Sequence, residues 1–299
     1  MKYKIISILL AVWSIPMLSE TRNASTGLSY LKLGVGARAI GMGEAYGALS
    51  DDASGIFYNP AGIAFSETNE VTVMHKQWAF GTTTEFLGST VHANPFTFGF
   101  GFNSTNVNGI EIRQQPGPAQ GTFGLHDLAI SATASWRVDS TLSVGATAKF
   151  LYEKIYVDES NGAAFDFGIC YKHSNNLAIA LAVSNLGSMS RLVSDPITLP
   201  TGLRGGASFF GPLNDDFAVT FASDLLKVVH DNGVRIHAGG EISYRSQLAL
   251  RAGYQIGYDA KGLSAGLGVR YSLIRFDYAF VPFSNQLGET HTFALTFNL

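Results

Sequence analysis

From Glu70 to Leu299 the sequence repeats one pattern: segments of roughly 9–13 residues in which apolar side chains alternate with small or polar ones. A period of two sends successive side chains to opposite faces of an extended strand. Segments of this length are what tilted strands need to cross an outer membrane. They fall at 70–78, 84–93, 95–104, 125–137, 141–153, 162–172, 176–186, 201–210, 216–225, 234–244, 247–257, 261–271, 274–282 and 290–299. These make about fourteen strands, an even number as in single-chain bacterial barrels. After the N-terminal two dozen residues no run of about 18 or more apolar residues occurs, so any membrane crossing is made by a closed barrel that pairs its own backbone groups.

The connections repeat the same parity, because such barrels carry short turns on one side and longer loops on the other. Turns at Ala93-Asn94, Val138 to Ser140, His173 to Asn176, Gly211 to Asp215, Arg245-Ser246 and Ser272-Leu273 are short. Longer loops are expected at Asn103 to Gly124, Lys154 to Asn161, Gly187 to Pro200, Lys227 to Gly233 and Pro282 to Gly288, with Gly257 to Lys261 shorter than the rest. Within the first of these, Val107 to Gln114 fits a hairpin arm projecting from the third and fourth strands.

Alternation also assigns faces. Phe96, Phe98, Phe100 and Phe102 share one side of the third strand and belong in lipid; Thr97, Gly99, Gly101 and Asn103 share the other. A soluble sandwich would alternate too, with its apolar face inward. The composition, 33 glycines, 12% aromatic and only 14% charged residues in 299, fits a membrane barrel better than a soluble α/β enzyme but is shared by soluble β-sandwiches. The choice of the barrel rests on strand length, on the signal peptide and on the family resemblance of the N-terminal segment, both described below. With a net charge of −3 there is no basic patch, and nucleic acid is excluded as an expected partner. The last strand, with Phe293, Leu295, Phe297 and Leu299 on one face, is similar to the C-terminal assembly signal of outer-membrane barrels, although it ends in Leu299 and not in an aromatic residue.

Residues 1–24 read as a secretory signal peptide, with Lys2 and Lys4 before the apolar run Ile5 to Ile15. Export to the bacterial outer membrane follows from it. Cys170 is the single cysteine, so no intrachain disulfide is available, and its place in a strand pattern makes it a small apolar wall residue.

The segment before the strands breaks the pattern. Gly34 to Phe65 carries glycines at 34, 36, 41, 43, 47, 55 and 62, too little side-chain bulk for a core of its own, so it must pack its backbone against something else. Asp51 or Asp52 is placed to cap a short turn of helix through Ile56, and Asn59-Pro60 reads as an N-cap and first position of a second. The ordered series Gly36-Ala37-Arg38, Gly41-Met42-Gly43, Ala45-Tyr46, Asp51-Asp52-Ala53-Ser54 and Asn59-Pro60-Ala61-Gly62 resembles the N-terminal signature of the PorV/PorQ family. Those proteins are outer-membrane β-barrels related in fold to the FadL-type long-chain fatty-acid transporters. The expected organisation is therefore a signal peptide over 1–24, a plug or hatch segment over 25–69 folded into the lumen, and a transmembrane β-barrel over 70–299.

Inward positions carry charges of both signs: Arg235, His237, Glu241 and Arg245 on one strand, Arg251, Arg270, Arg275 and Asp277 beside it, and Asp127, Arg137, Lys149 and Asp166 across the barrel. Charge is costly in lipid, so these are expected to pair in the lumen, with Arg38 joining them, as an ion-pair network that seats the plug. A polar pathway or ligand site is the functional alternative. No Gly-x-Ser-x-Gly elbow and no His-Glu-x-x-His pair occurs, so neither a catalytic site nor a cofactor is expected. On a strand the four-residue spacing of His237 and Glu241 puts them roughly 13 Å apart, too far for one metal, and Asp51-Asp52 alone lacks the oxygens of a calcium site. Trp78, Phe80, Trp136, Tyr152, Tyr156, Tyr254 and Tyr258 are candidates for interfacial girdles or for ordinary wall packing.

The resemblance implies a non-catalytic role in type IX protein secretion or cell-surface attachment, in which the loops at Asn103 to Gly124 and Gly187 to Pro200 dock protein partners. The alternative is a FadL-like channel for uptake of hydrophobic small molecules, gated by the plug. A third reading is a structural barrel of another assembly. A hydrophobic ligand asks for a mainly apolar pocket, and the inward residues read from alternation are small, polar or charged, which favours docking over uptake. Outer-membrane lipids surround the barrel in every case.

Overall fold

The computed structural model describes residues 26–66, 68–78, 81–192 and 197–299. The expected signal peptide over 1–24 and the girdle candidate Phe80 lie outside the described residues. Fourteen strands form one closed antiparallel barrel: β1 (Glu70–Gln77), β2 (Thr82–Ala93), β3 (Phe96–Ile112), β4 (Gly121–Arg137), β5 (Leu142–Ile155), β6 (Asp158–Lys172), β7 (Leu177–Met189), β8 (Gly202–Pro212), β9 (Phe217–Val228), β10 (Arg235–Tyr244), β11 (Leu248–Ile256), β12 (Leu263–Tyr271), β13 (Ile274–Pro282) and β14 (Glu289–Asn298). Each pairs with its sequence neighbours, and β1 closes the ring on β14 with Val71 opposite Phe297 and His75 opposite Phe293. Every expected strand is present. Among the described residues no helix is long and apolar enough to cross a membrane, which leaves crossing by strands untouched.

Two of the expected long loops are in large part strand. β3 and β4 run on past a bulge between Val107 and Ile110, so that Ile110 faces Phe123 and Ile112 faces Gly121. β2 stops pairing at Val107 and β5 at Leu125, so this extension is the expected hairpin arm, formed as paired strand. β5 and β6 pair as far as Ile155 opposite Asp158, leaving a two-residue turn where a loop from Lys154 to Asn161 was expected. Backbone pairing there satisfies donors that a loose loop would leave to water. The Arg245 expectation also changes. Arg245 sits at the turn with a φ of 50° and pairs with Asp216 at 2.7 Å on the outer surface, because the reversal at Tyr244 ends the alternation that had placed it inward.

The two faces separate by chemistry. Phe96, Phe98 and Phe100 are each close to half exposed, as are Phe150, Phe165, Phe167, Leu181, Phe221, Leu250 and Leu267 around the wall. Their strand neighbours Thr97, Thr133, Thr147, Asp166, Asp224, Arg251, Asp277 and Thr292 are buried. In a water-soluble β-sandwich this distribution would be inverted. Substituting Phe100→Lys is expected to lower the unfolding free energy of the barrel in lipid vesicles by about 2–4 kcal/mol. The same change at the loop residue Gln120 is expected to leave it unaltered, with both read from denaturant titration.

Candidate functional site

Residues 26–66 run along the inner face of the wall from the loop end of the barrel to the turn end. They hold short turns of helix at Ser29–Lys32, Ala37–Gly41, Gly55–Tyr58 and Gly62–Phe65. Glycines on both partners allow the approach. A methyl group on Gly239 would overlap Met42, one on Gly253 would overlap Gly43, and one on Gly168 would overlap the Asn59 side chain. Gly43 itself has a φ of +65°, which a larger residue adopts only with strain. The Asn59 side chain is a three-way tie: Oδ1 accepts from the Ala61 amide at 3.0 Å, and Nδ2 donates to the carbonyls of Gly47 at 3.0 Å and Ile169 at 3.3 Å. Pro60 abuts Gly145 of β5, and a side chain at Gly62 would strike the Ser50 carbonyl. Asp52 Oδ1 accepts from the Ser54 amide at 3.0 Å, closing a local turn before the helix. The N-cap is Ser54 and no side chain caps the helical turn, so the capping expected of Asp51 or Asp52 is not what the carboxylate does.

The inward charges divide into separate groups. At the turn end, Arg251 donates to Glu241 at 2.5 Å and to Asp277 at 2.7 Å. Arg275 in turn binds Asp277 at 2.8 Å and crosses to Asp52 at 3.0 Å. Arg38 reaches Asp51 at 2.8 Å, the Tyr46 hydroxyl at 3.1 Å and Glu241 at 3.5 Å, so segment and wall share one lattice of charge. Arg270 stands beside this lattice on β12 and its side chain makes no ion pair among the described residues. Lys149 of β5 and Asp166 of the adjacent β6 pair at 2.5 Å on the inner face, where Asn185 of β7 binds both. Arg235 belongs to a third group at the loop end with Asp231 and Lys32. Arg137 lies over the ring of Phe65, and Asp127 has an unpartnered carboxylate oxygen. Met42 and Gly41 pack against β9 to β12, the first beside Ala222 and the second beside Gly266.

Several residues that hold the segment were absent from the sequence-derived set. Asp224 is fully buried on β9; its Oδ2 accepts from the amides of Tyr46 at 2.9 Å and Gly47 at 2.8 Å while Arg204 donates to it at 2.7 Å. Its inward parity with Thr220 and Ala222 was legible; its target was not. Glu44 pairs with Lys261 at 3.0 Å, and its carbonyl accepts from Arg204 at 3.0 Å. His237 Nε2 and the Tyr258 hydroxyl meet at 2.9 Å inside the barrel, which removes Tyr258 from the girdle candidates. Strand alternation does not extend into the Gly257 to Lys261 loop, so no periodicity predicted where that ring points.

A polar cleft and a buried apolar cluster lie along the segment. At the turn end a cleft of about 560 Å³ is lined by the Arg38, Asp52, Glu241, Arg251, Arg270 and Arg275 side chains among others and is mostly polar. At the loop end Leu28, Tyr30 and Leu31 pack on the inward residues Ala129, Leu151, Ala164 and Met189 and on Leu199, filling an apolar part of the lumen. β7 and β8 border it, and their pairing ends at Ser184 opposite Gly202 although β7 continues to Met189. Among the described residues no group of three or more His, Cys, Asp or Glu side chains gathers around a common point.

Residues 16–192 match the family model described as Uncharacterised protein family (UPF0164). The chain belongs to this family. Comparison with curated protein sequences finds no match. Among solved structures the barrel of this UPF0164 member is similar to the CymD monoaromatic hydrocarbon channel, with a TM-score of 0.66 at 15% identity over 89% of this chain and 98% of that one. The toluene transporter TbuX of Ralstonia pickettii matches with a TM-score of 0.62 at 13% identity over 89% and 98%. A Pseudomonas aeruginosa FadL homologue matches with a TM-score of 0.51 at 13% identity over 86% and 97%. At these identities the likeness is one of fold.

Two predictions follow from the geometry. Asp224→Ala leaves Arg204 and two buried amides without their acceptor, and is expected to cost about 3–5 kcal/mol. It should also open residues 43–50 to protease while the barrel keeps its heat-modifiable mobility on gels; Asn59→Ala and Gly62→Val should do the same. In the loop, partial burial pushes the Asp231 carboxyl up, but Lys32 and Arg235 push it down further, so it sits below the usual carboxylate range. A depressed carboxyl stabilises fully above its unfolded value of about 4 and is lost as the pH falls through the folded value. Cleavage near Lys32 is therefore expected to rise only below about pH 4, and Asp231→Asn should make it independent of pH in that range.

Proposed function

We propose that this protein is an outer-membrane channel for hydrophobic small molecules, with residues 26–66 as the plug that occupies its lumen. The observation carrying this reading is the apolar cluster at the loop end, where Leu151, Met189, Ala129 and Ala164 of the wall are covered by Leu28, Tyr30 and Leu31 of the segment, so that withdrawal of those three side chains would leave an apolar hollow. Inward apolar side chains of this size bring nothing to a polar pore and suit a concave site for an apolar ligand. The fold similarity to hydrocarbon channels supports the same class of cargo. The outward belt of half-exposed Phe and Leu side chains supports residence in a bilayer.

On this reading the segment moves before cargo passes. Its attachments are graded: the turn-end lattice of Arg38, Asp52, Arg251 and Arg275 is dense, whereas Leu28 to Leu31 are held chiefly by apolar packing. Displacement of the loop-end portion would open that hollow while the rest stays bound. The role in type IX secretion rests on the motif resemblance alone, and neither the family match nor the structural neighbours add to it.

Uptake decides between these readings. Vesicles containing the protein are expected to take up toluene or a medium-chain fatty acid faster than empty ones, and Leu151→Glu should abolish most of that gain. No gain over empty vesicles, with the barrel correctly folded, would remove the channel reading.

A further inference from the structure

A row of oxygen-bearing side chains crosses the inner wall beside the apolar cluster. The strand registers place Thr105 of β3 opposite Asp127 of β4, Asp127 opposite Glu153 of β5, and Glu153 opposite Ser160 of β6. All four are buried. The two carboxylates at the centre are directly cross-strand on one face, with their Cβ atoms about 5 Å apart, and neither takes part in an ion pair or a side-chain hydrogen bond among the described residues. The candidate counter-charges are committed elsewhere: Lys149, four residues back along β5, is held by Asp166 and Asn185, and Lys76 donates to the Gly34 carbonyl at 2.6 Å.

Two independent groups point into the same place. The Tyr30 hydroxyl, on a residue only 3% exposed, has no hydrogen-bond partner and lies close enough to interact electrostatically with both Asp127 and Glu153. Asn103, on β3 diagonal to Asp127 and 6% exposed, keeps an unpartnered Oδ1. Two adjacent carboxylates in a buried site repel each other unless one takes up a proton or a cation lies between them. A proton would satisfy only that pair, whereas a buried acceptor without a donor, such as Asn103 Oδ1, is unfavourable in its own right. One ligand answers every one of these groups. A bound metal ion would take oxygens only, since carboxylate, amide and phenol oxygens make up the whole donor set, and hard divalent cations choose that set.

We propose that Asp127, Glu153, Asn103 and Tyr30 form a binding site for a hard divalent cation of the calcium class in the loop-end half of the lumen. Two carboxylates, one amide oxygen and one phenol oxygen offer about six ligands, the lower end of the calcium range, without the tight octahedron that magnesium requires. The cation would join β4 and β5 to the N-terminal segment through Tyr30, next to the Leu28 and Leu31 contacts of the apolar cluster. The site stands whether or not the barrel conducts a hydrophobic cargo.

The test uses the full chain, refolded in detergent free of lipopolysaccharide, stripped with chelator and dialysed against radioactive calcium chloride. One calcium ion per chain is expected, with magnesium binding at least tenfold more weakly. Asp127→Asn and Glu153→Gln should each weaken calcium binding at least tenfold, and Tyr30→Phe, which keeps the ring packing, a few-fold. Calcium should raise the thermal midpoint of the parent and leave that of Glu153→Gln unmoved. If Asp127→Asn does not fold, Glu153→Gln and Tyr30→Phe carry the same comparison. Absence of saturable binding to the parent, equal binding to the folded variants, or equal affinity for magnesium would each overturn the proposal.

Discussion

Closure of β1 on β14 is the constraint from which the remainder of the architecture follows. An open sheet would present a row of unpaired amides and carbonyls along each edge, and in an apolar surrounding nothing else satisfies them. Pairing Glu70 through Gln77 with His291 through Asn298 abolishes both edges at once. It also forces every strand to divide its residues between an outer and an inner face. The outer face can then be largely apolar, and the inner face takes the buried ion pairs and the glycines against which the N-terminal segment packs.

That division creates an interior that the barrel does not fill by itself. Gly145, Gly168, Gly239 and Gly253 leave the wall bare of side chains where the N-terminal segment passes, and backbone meets backbone there. Packing of this kind supplies close contact but little directional hold. Direction comes from the buried carboxylates: Asp224 receives two amides of the segment, Asp52 receives Arg275 from the wall, and Glu44 receives Lys261. The dense lattice of Arg38, Asp52, Glu241, Arg251 and Arg275 lies near the short turns, whereas the loop end combines the Leu28 to Leu31 cluster with the smaller Lys32–Asp231–Arg235 and Glu44–Lys261 groups.

Much of the fold was legible because strand alternation is a local property. Phe96 to Phe102 announced an outward face from spacing alone, and all fourteen strands could be placed. Periodicity was silent where strands outran their loops, as at Ile155 opposite Asp158, because the composition of 154–161 contains nothing that distinguishes a tight hairpin from a loop. It was also incomplete for the lumen. Alternation names Arg251, Arg275 and Asp277 as inward, yet assigns no partner, and it gave Arg235 to the same network although its carboxylate is Asp231, four residues away in a loop. The reading that the interior lacks apolar surface failed for a related reason. Leu151 is the one large apolar residue among small and polar inward positions of β5, and Met189 follows a row of inward alanines on β7, so both acquire meaning only beside Leu28 and Leu31 from a distant part of the chain.

Alternation is the same in a sandwich and a barrel, and the choice between them rested on strand length, the signal peptide and the family resemblance. What the sequence by itself determined is that the chain forms about fourteen strands, which residues share the apolar face of each, and that Gly34 to Phe65 must lie against another surface. Each of these depends on residues close in sequence, through the two-residue period of a strand or the missing bulk of glycine. Only the tertiary structure decided which carboxylate meets which cation, where the apolar cluster lies, and that Asp127 and Glu153 stand opposite one another with no ion pair among the described residues. Those are relations between residues that barrel closure brings together from distant strands and from the N-terminal segment, and no local period encodes them.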